Sequence, residues 1–344
     1  MRGVAIVFIM LHNLLHLVIP TLENEFVFQI ERTRFFMNEV FSGGVDVVQD
    51  IFSFLGWYGV AVFLFLSGYG LTLKYDIQSP SPSSQPQFLL REFIWKHYKS
   101  VFLLMFLPYI PFVILQIYHK TYLQVILQMS LVANIFSPDH INPGVFWFFG
   151  LIIQFYVVYA LLRCCKNEKV YHLVLFLLNI LSLCILFIAK DNSSALNWLR
   201  HNFIGWMLPF SVGILFAKCQ CLCKLFDSAW KNVGWLIGGG ILINLANYNY
   251  YAWILSSVIA IFCSIGLTKL LQMCKIVDNG CVWIGALSAF IFPIHPIIRF
   301  LCMKLCPSRM VEFSFLVGYV IVSIVVAFIY REIHKRLFSR WLAS

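Results

Sequence analysis

The chain has 344 residues, of which 61% are hydrophobic and only 12% are charged, and its mean hydropathy is +0.84. These values exclude a soluble globular domain, because such domains carry about 25% charged residues. The formal net charge of +10 does not indicate a nucleic-acid partner, since no basic cluster with interleaved exposed aromatic residues accompanies it. We expect it to reflect membrane insertion and contact of the protein with the anionic lipid bilayer.

Apolar runs recur along the whole chain, and each is long enough to cross a bilayer as a helix. They predict an all-α polytopic integral membrane protein with about 10 transmembrane helices. The predicted spans are residues 3–20, 57–73, 101–118, 144–162, 170–189, 203–217, 234–248, 253–271, 282–302 and 313–330. We expect residues 1–344 to form a single membrane-embedded domain.

The distribution of the 25 lysines and arginines predicts the orientation of the chain. Most of them fall in alternate loops, and the positive-inside rule then places both termini in the cytoplasm. The short apolar segment 122–136 leaves two interpretations open. If it crossed the membrane, the basic loop after residue 162 would move outside; if it lies at the interface or re-enters, that loop stays inside. The charge bias favours the second interpretation.

Three polar segments lie between or after the spans. Residues 21–56 form a long, acidic outer loop, and a loop of that length over a membrane face is typical of a lid. Residues 77–87 read as a flexible cytoplasmic linker rich in Pro and Ser, and residues 331–344 as a cytoplasmic tail. The cysteines at 219, 221 and 223 have no further ligands in their pattern, so we expect no metal site.

Polar residues interrupt the first span, "RGVAIVFIMLHNLLH". On a helical wheel Asn13 lies about 20° and His16 about 40° from Arg2, while His12 lies about 80° away and about 15 Å along the axis. This polar stripe must face protein or water, because lipid would leave its donors unsatisfied. A buried, neutral structural imidazole is the alternative for His12, but the clustering on one face favours function.

A second polar site is predicted in the ninth span, "IFPIHPIIR". Pro293 and Pro296 flank His295 and would free backbone carbonyls there. Counted from the cytoplasmic end, His295 reaches about 20 Å into the membrane, close to the depth of His12. Arg299 lies one turn further out, where it could meet a sugar hydroxyl or a carboxylate of the outer loop; an interfacial snorkelling arginine is the alternative.

The second span carries the order Gly56-x-x-Gly59-Val60-x-Val62-Phe63-x-x-x-Ser67-Gly68-Tyr69, which resembles the signature of the acyltransferase-3 family. These are bacterial integral-membrane acyltransferases, mostly O-acetyltransferases of envelope and secreted glycans. The opening "RGVAIVFIMLHN", the basic "KHYK", the aromatic "PGVFWFFGLIIQFYVVYALL" and "IFPIHPIIR" are similar to further family motifs, in the same order along the chain.

The resemblance implies transfer of an acetyl group from acetyl-CoA, the acyl donor, to a hydroxyl of a cell-envelope or secreted glycan acceptor. It also implies a bacterial inner (cytoplasmic) membrane location and no metal. His12 is then the expected general base, supported by Arg2 and helped by His16 or His295. Lys96 and Lys99, with Arg2, are expected to bind the phosphates of coenzyme A; simple positive-inside anchoring is the alternative for each lysine. The expected substrate-binding residues are Asn13, Trp147, Gln154 and Arg299.

Two departures from the family pattern leave alternatives open. Nine residues separate Arg2 from His12 where the family has ten, so Asn13 occupies the expected place and His16 is a rival base. The position of the usual second-span acidic residue holds Ala61, so any role of that carboxylate is absent or supplied elsewhere. A membrane carrier for a glycan or small metabolite and a catalytically inactive relative are the competing hypotheses. The sequence also leaves open whether residues precede Met1, and it does not predict an oligomeric state.

Overall fold

A computed structural model describes residues 1–16, 24–43, 47–77, 90–165, 167–305 and 312–343, and these residues are helical without strands. The first half contains α1 (Arg2–Leu15), α2 (Ile30–Ser42), α3 (Val47–Leu55), α4 (Tyr58–Thr72), α5 (Leu90–Tyr118), α6 (Tyr122–Met129), α7 (Ala133–Phe136) and α8 (Trp147–Arg163). The second half contains α9 (Glu168–Ile188), α10 (Ser193–Arg200), α11 (Met207–Lys218), α12 (Ala229–Ala246), α13 (Tyr250–Leu271), α14 (Lys275–Leu305) and α15 (Phe313–Ala343).

Seven helices of the described residues are long and apolar enough to cross a membrane: Tyr58–Ile77, Leu90–Tyr118, Gly144–Arg163, Glu168–Asp191, Tyr250–Leu271, Lys275–Leu305 and Phe313–Ser339. Each agrees with one of the predicted spans, so the all-α polytopic membrane fold is confirmed. The remaining three predicted spans correspond to shorter or less apolar helices. The predicted orientation of the termini stays a prediction.

The first predicted span, residues 3–20, is only partly a described helix. Helix α1 has 14 residues and therefore extends about 21 Å, short of the roughly 30 Å hydrocarbon core. Residues 17–20 of that prediction lie outside the described part of the chain. The described part of α1 thus ends inside the protein, with the polar residues of its last turn among other helices.

The apolar segment 122–136 does not form one long helix. It is divided into α6, with 8 residues, and α7, with 4, and Leu131 between them has a positive φ of 58°. An eight-residue helix extends only about 12 Å, so neither part can cross the bilayer. The structure therefore supports the interpretation in which this segment lies at the interface or re-enters.

Two of the predicted polar segments are now placed in part. Residues 331–343 continue α15 as a helix, so the predicted tail is an extension of the last span. The predicted linker, residues 77–87, lies outside the described residues except for Ile77, and the start of the acidic loop is also outside them. The rest of that loop contains an irregular segment, residues 24–29, followed by α2 and α3.

Close helix crossings bring the second span into the centre of the bundle. A Cβ on Gly68 of α4 would collide with the carbonyl oxygen of Phe210 in α11, and a Cβ on Gly213 would collide with the carbonyl oxygen of Phe65. Gly68 and Gly213 therefore let α4 and α11 approach each other closely. Helix α1 packs against α3, α4 and α14, which positions its polar residues inside the protein.

Candidate active site

The candidate site is centred on His12, which lies in the last turn of α1 with only 4% of its surface exposed. Its Nδ1 atom is 2.8 Å from the backbone carbonyl oxygen of Ser53. A carbonyl oxygen can only accept a hydrogen bond, so Nδ1 carries the proton in this geometry. In the neutral ring Nε2 is therefore the basic atom, and it has no hydrogen-bond partner in the described residues.

The carboxylate of Glu25 faces this free nitrogen. Its Oε2 atom lies 3.6 Å from Nε2 of His12, and Glu25 is 7% exposed. The separation exceeds an ordinary hydrogen bond, but it allows an ion pair whenever the ring carries a positive charge. Sequence reasoning missed Glu25, because it placed carboxylates in the outer loop and none at the depth of the histidines.

The end of α3 and the residue after it cover His12 from the other side. A Cβ on Gly56 would come within 2.5 Å of Cβ of His12 and of the carbonyl oxygen of Phe52, so only glycine fits there. Arg32 of α2 donates from Nη2 to the Ser53 hydroxyl over 2.8 Å. Helices α2 and α3 belong to the segment predicted as the acidic outer loop. They fix the Ser53 carbonyl, which orients the imidazole.

Residues 24–29, which we call the strap, carry Glu25 to the site. The Asn24 side chain donates to Oδ1 of Asn247 over 2.7 Å and accepts from the backbone N–H of Gln29 over 2.7 Å. The Asn24 carbonyl accepts from Nε1 of Trp253 over 3.0 Å, and Phe26 stacks on His201 with ring centroids 3.9 Å apart. Polar bonds and ring packing thus fix the strap against α10, α12 and α13.

Arg200, at the end of α10, also holds the strap. It is 1% exposed and donates to the Glu25 carbonyl from Nε over 3.1 Å and from Nη2 over 2.9 Å. Burial lowers the pKa of its guanidinium to about 10, while the charge of Glu25 acts in the opposite direction. Arg200 therefore remains a cation at neutral pH, next to the His12–Glu25 pair.

The other predicted residues of α1 form contacts around His12. Nδ1 of His16 lies 2.8 Å from the His12 carbonyl oxygen, and the two rings stack with centroids 5.1 Å apart. The Asn13 side chain donates to the Ile9 carbonyl over 2.9 Å. Nη1 of Arg299 donates to the Asn13 carbonyl over 2.8 Å, so Arg299 joins α14 to the end of α1.

The structure places three further predicted residues in packed surroundings. His295 is fully buried, with Nδ1 3.3 Å from the Ile291 carbonyl oxygen, and within the described residues no hydrogen bond or ring contact joins it to His12. Trp147 is buried and packs against Trp206 at 5.7 Å. Both ends of the Gln154 amide bind protein, at 2.8 Å to Asn202 Oδ1 and at 3.0 Å to the Phe203 N–H.

Of the predicted donor-binding residues, Arg2 lies at the end of α1 opposite His12, and Lys96 and Lys99 lie on α5. Arg2 is exposed and ten residues from His12, a distance of about 15 Å along the helix, so the structure does not bring the two side chains together. Lys96 is exposed and Lys99 half-buried on α5. Between these lysines His97 packs against Phe93 at 4.2 Å and Tyr156 at 4.4 Å.

Sequence reasoning missed His97 and Tyr156, because aromatic residues are frequent along the whole chain. No group of three or more His, Cys, Asp or Glu side chains that could hold a metal ion occurs among the described residues.

Comparison with known proteins assigns the class. The chain matches the family model described as acyltransferase domain, acyltransferase-3, over residues 1–332 of 344. It therefore belongs to the acyltransferase-3 family and is a multi-pass membrane acyltransferase. No curated protein and no solved structure matches it.

Proposed function

We propose that this protein is an O-acyltransferase that moves an acetyl group from acetyl-CoA to a hydroxyl of a cell-envelope or secreted glycan, with His12 as the general base. The observation that supports the proposal most is the state of the His12 ring. Its Nδ1 is bonded to a carbonyl, while Nε2 has no hydrogen-bond partner in the described part of the chain and faces a buried carboxylate.

The proposed reaction uses this pair directly. Nε2 of His12 takes the proton of the acceptor hydroxyl while the hydroxyl oxygen bonds to the thioester carbonyl carbon, and Glu25 stabilises the imidazolium. The C–S bond then breaks, and the imidazolium returns its proton to the leaving thiolate, giving the ester and coenzyme A. A positioned base of this kind contributes about 10²–10⁴ in rate.

The donor would enter from the end of the bundle that the sequence predicts to be cytoplasmic. Lys96 and Lys99 of α5, with Arg2 at the start of α1, supply positive charge for the coenzyme A phosphates. The rings of His97 and Tyr156 between them offer a surface on which an adenine could stack. The orientation that puts these residues in the cytoplasm is the one expected in a bacterial inner membrane.

The test supplies purified protein in lipid nanodiscs with radiolabelled acetyl-CoA and envelope glycan, and then measures where the label goes. Ester-linked label on the glycan together with release of coenzyme A is the expected result. The absence of both label transfer and coenzyme A release, with intact and correctly folded protein, would contradict the proposal. Uptake of glycan into protein-containing vesicles without acetylation would indicate the carrier hypothesis, and binding without either activity would indicate an inactive relative.

A further inference from the structure

Arg200 combines features that a merely structural residue does not need. The three hydrogen bonds that its side chain donates in the described residues all go to backbone carbonyls: two to Glu25 and one, from Nη1 over 3.0 Å, to Gly205. No side-chain carboxylate accepts from it in the described residues. Burial of a cation costs free energy of desolvation. An apolar residue at this position would therefore be less costly for the stability of the fold.

Three tryptophan rings enclose the guanidinium. Its central carbon lies 4.1 Å from the ring centroid of Trp206, 5.0 Å from that of Trp253 and 5.5 Å from that of Trp57. Stacking of arginine on aromatic faces compensates part of the lost hydration. The enclosure leaves the planar group little freedom to turn.

These tryptophans connect Arg200 with both sides of His12. Trp57 directly follows Gly56, the glycine that packs on Cβ of His12. Trp253 holds the Asn24 carbonyl, one residue before Glu25. The same guanidinium therefore fixes the backbone that carries the carboxylate and packs on the segment that covers the imidazole.

We infer that Arg200 is a positioning residue of the acyl-transfer reaction, which holds the Glu25 carboxylate opposite Nε2 of His12. The inference rests on the proposed function. The two N–H groups on one carbonyl fix the direction in which the Glu25 side chain leaves the strap.

The substitution Arg200→Lys separates position from charge. Lysine keeps the cation but lacks the planar group that places two donors on the Glu25 carbonyl. We expect kcat to fall about tenfold or more, equivalent to at least 1.4 kcal/mol of transition-state stabilisation, with an unchanged KM for acetyl-CoA. Hydrogen–deuterium exchange of the backbone amides of residues 24–29 should become faster in the same variant.

A double-mutant cycle with Glu25→Gln supplies the second readout. If Arg200 acts through Glu25, the fold-loss of kcat in the double variant will be much smaller than the product of the fold-losses in Arg200→Lys and Glu25→Gln. The matched control is Arg34→Lys, at an exposed arginine of α2 that pairs with Glu31 at 3.4 Å; it should change neither kcat nor exchange.

Two outcomes would overturn the inference: multiplicative losses in the cycle, or unchanged exchange of residues 24–29 in Arg200→Lys. A wild-type protein without acyl transfer would instead contradict the proposed function. The exchange experiment does not depend on activity, so the two failures are distinguishable.

Discussion

Nε2 of His12 and Oε2 of Glu25 lie 3.6 Å apart in the interior of a membrane protein, although one residue belongs to α1 and the other to the irregular segment that follows it. A buried carboxylate beside a buried imidazole is a charge arrangement that folding alone does not favour. This arrangement suits an imidazole ring that becomes positively charged in each cycle of the proposed reaction.

Replacing Glu25 by glutamine tests that pairing. The variant retains the size and polarity of the side chain but loses the negative charge that stabilises imidazolium. We expect kcat to fall about tenfold or more, while the KM for acetyl-CoA stays unchanged because Lys96 and Lys99, the lysines proposed to bind the donor, lie on a different helix, α5. Steady-state coenzyme A release measures both constants, and wild-type kcat in Glu25→Gln would exclude a catalytic role for this carboxylate.

The substitution Gly56→Ala tests the tight packing of Gly56 against His12. The added Cβ would lie within 2.5 Å of Cβ of His12, so α3 and α1 must separate and the bond from His12 to the Ser53 carbonyl must lengthen. We expect a loss of about 1–3 kcal/mol in the free energy of unfolding, as for other overpacked sites, and a lower kcat. Thermal unfolding in detergent and turnover are the measurements.

The control for this substitution is Gly240→Ala, because a Cβ on Gly240 has nothing within 4 Å. It should unfold and turn over like the wild type. Equal behaviour of the two alanine variants would show that the contact between Gly56 and His12 is not tight in the functional protein.

Lys96→Gln and Lys99→Gln test the proposed donor end. Each should raise the KM for acetyl-CoA about two- to fivefold, as expected for partly exposed charge interactions of about 0.5–1 kcal/mol, and leave kcat unchanged. The increase should shrink at high salt, because ions screen such interactions. Lys275→Gln, at an exposed lysine at the start of α14, is the control; an equal effect there would indicate non-specific attraction.

Arg299 was expected to bind substrate, and its bond to the Asn13 carbonyl predicts a second role. Arg299→Ala removes a charged donor from the end of α1, where unsatisfied carbonyls favour a cation. We expect a loss of about 1.5–3 kcal/mol in stability, measured by thermal unfolding. Unchanged stability with a raised KM for the glycan alone would instead identify Arg299 as an acceptor contact.

The sequence predicted the fold because it depends on local patterns, and the polar stripe of α1 was visible for the same reason. Apolar runs indicate membrane helices, and the helical wheel placed His12, Asn13 and His16 on one polar stripe; in the structure these side chains are buried or half-buried against protein. The length of α1 was not predictable, since its apolar run continues past the last described helical residue.

Glu25 and Arg200 were not predictable for a different reason. Their positions depend on contacts between distant parts of the chain, such as the bonds from Asn24 to Asn247 and from Arg200 to the Glu25 carbonyl. A signal was present in the sequence, because an acidic loop beside a histidine-bearing span offers carboxylates for pairing. Nothing local selected Glu25 among the six acidic residues of that loop.

The most direct test of the account is the rate of coenzyme A release by His12→Ala in the presence of glycan acceptor, compared with the wild type and with His172→Ala, a surface histidine of α9. The account predicts a fall of about 10²–10⁴ in His12→Ala, in a protein that is still folded in detergent, and wild-type turnover in His172→Ala. Wild-type turnover in His12→Ala would contradict the assignment of the base, and a loss in His16→Ala alone would transfer that role to His16.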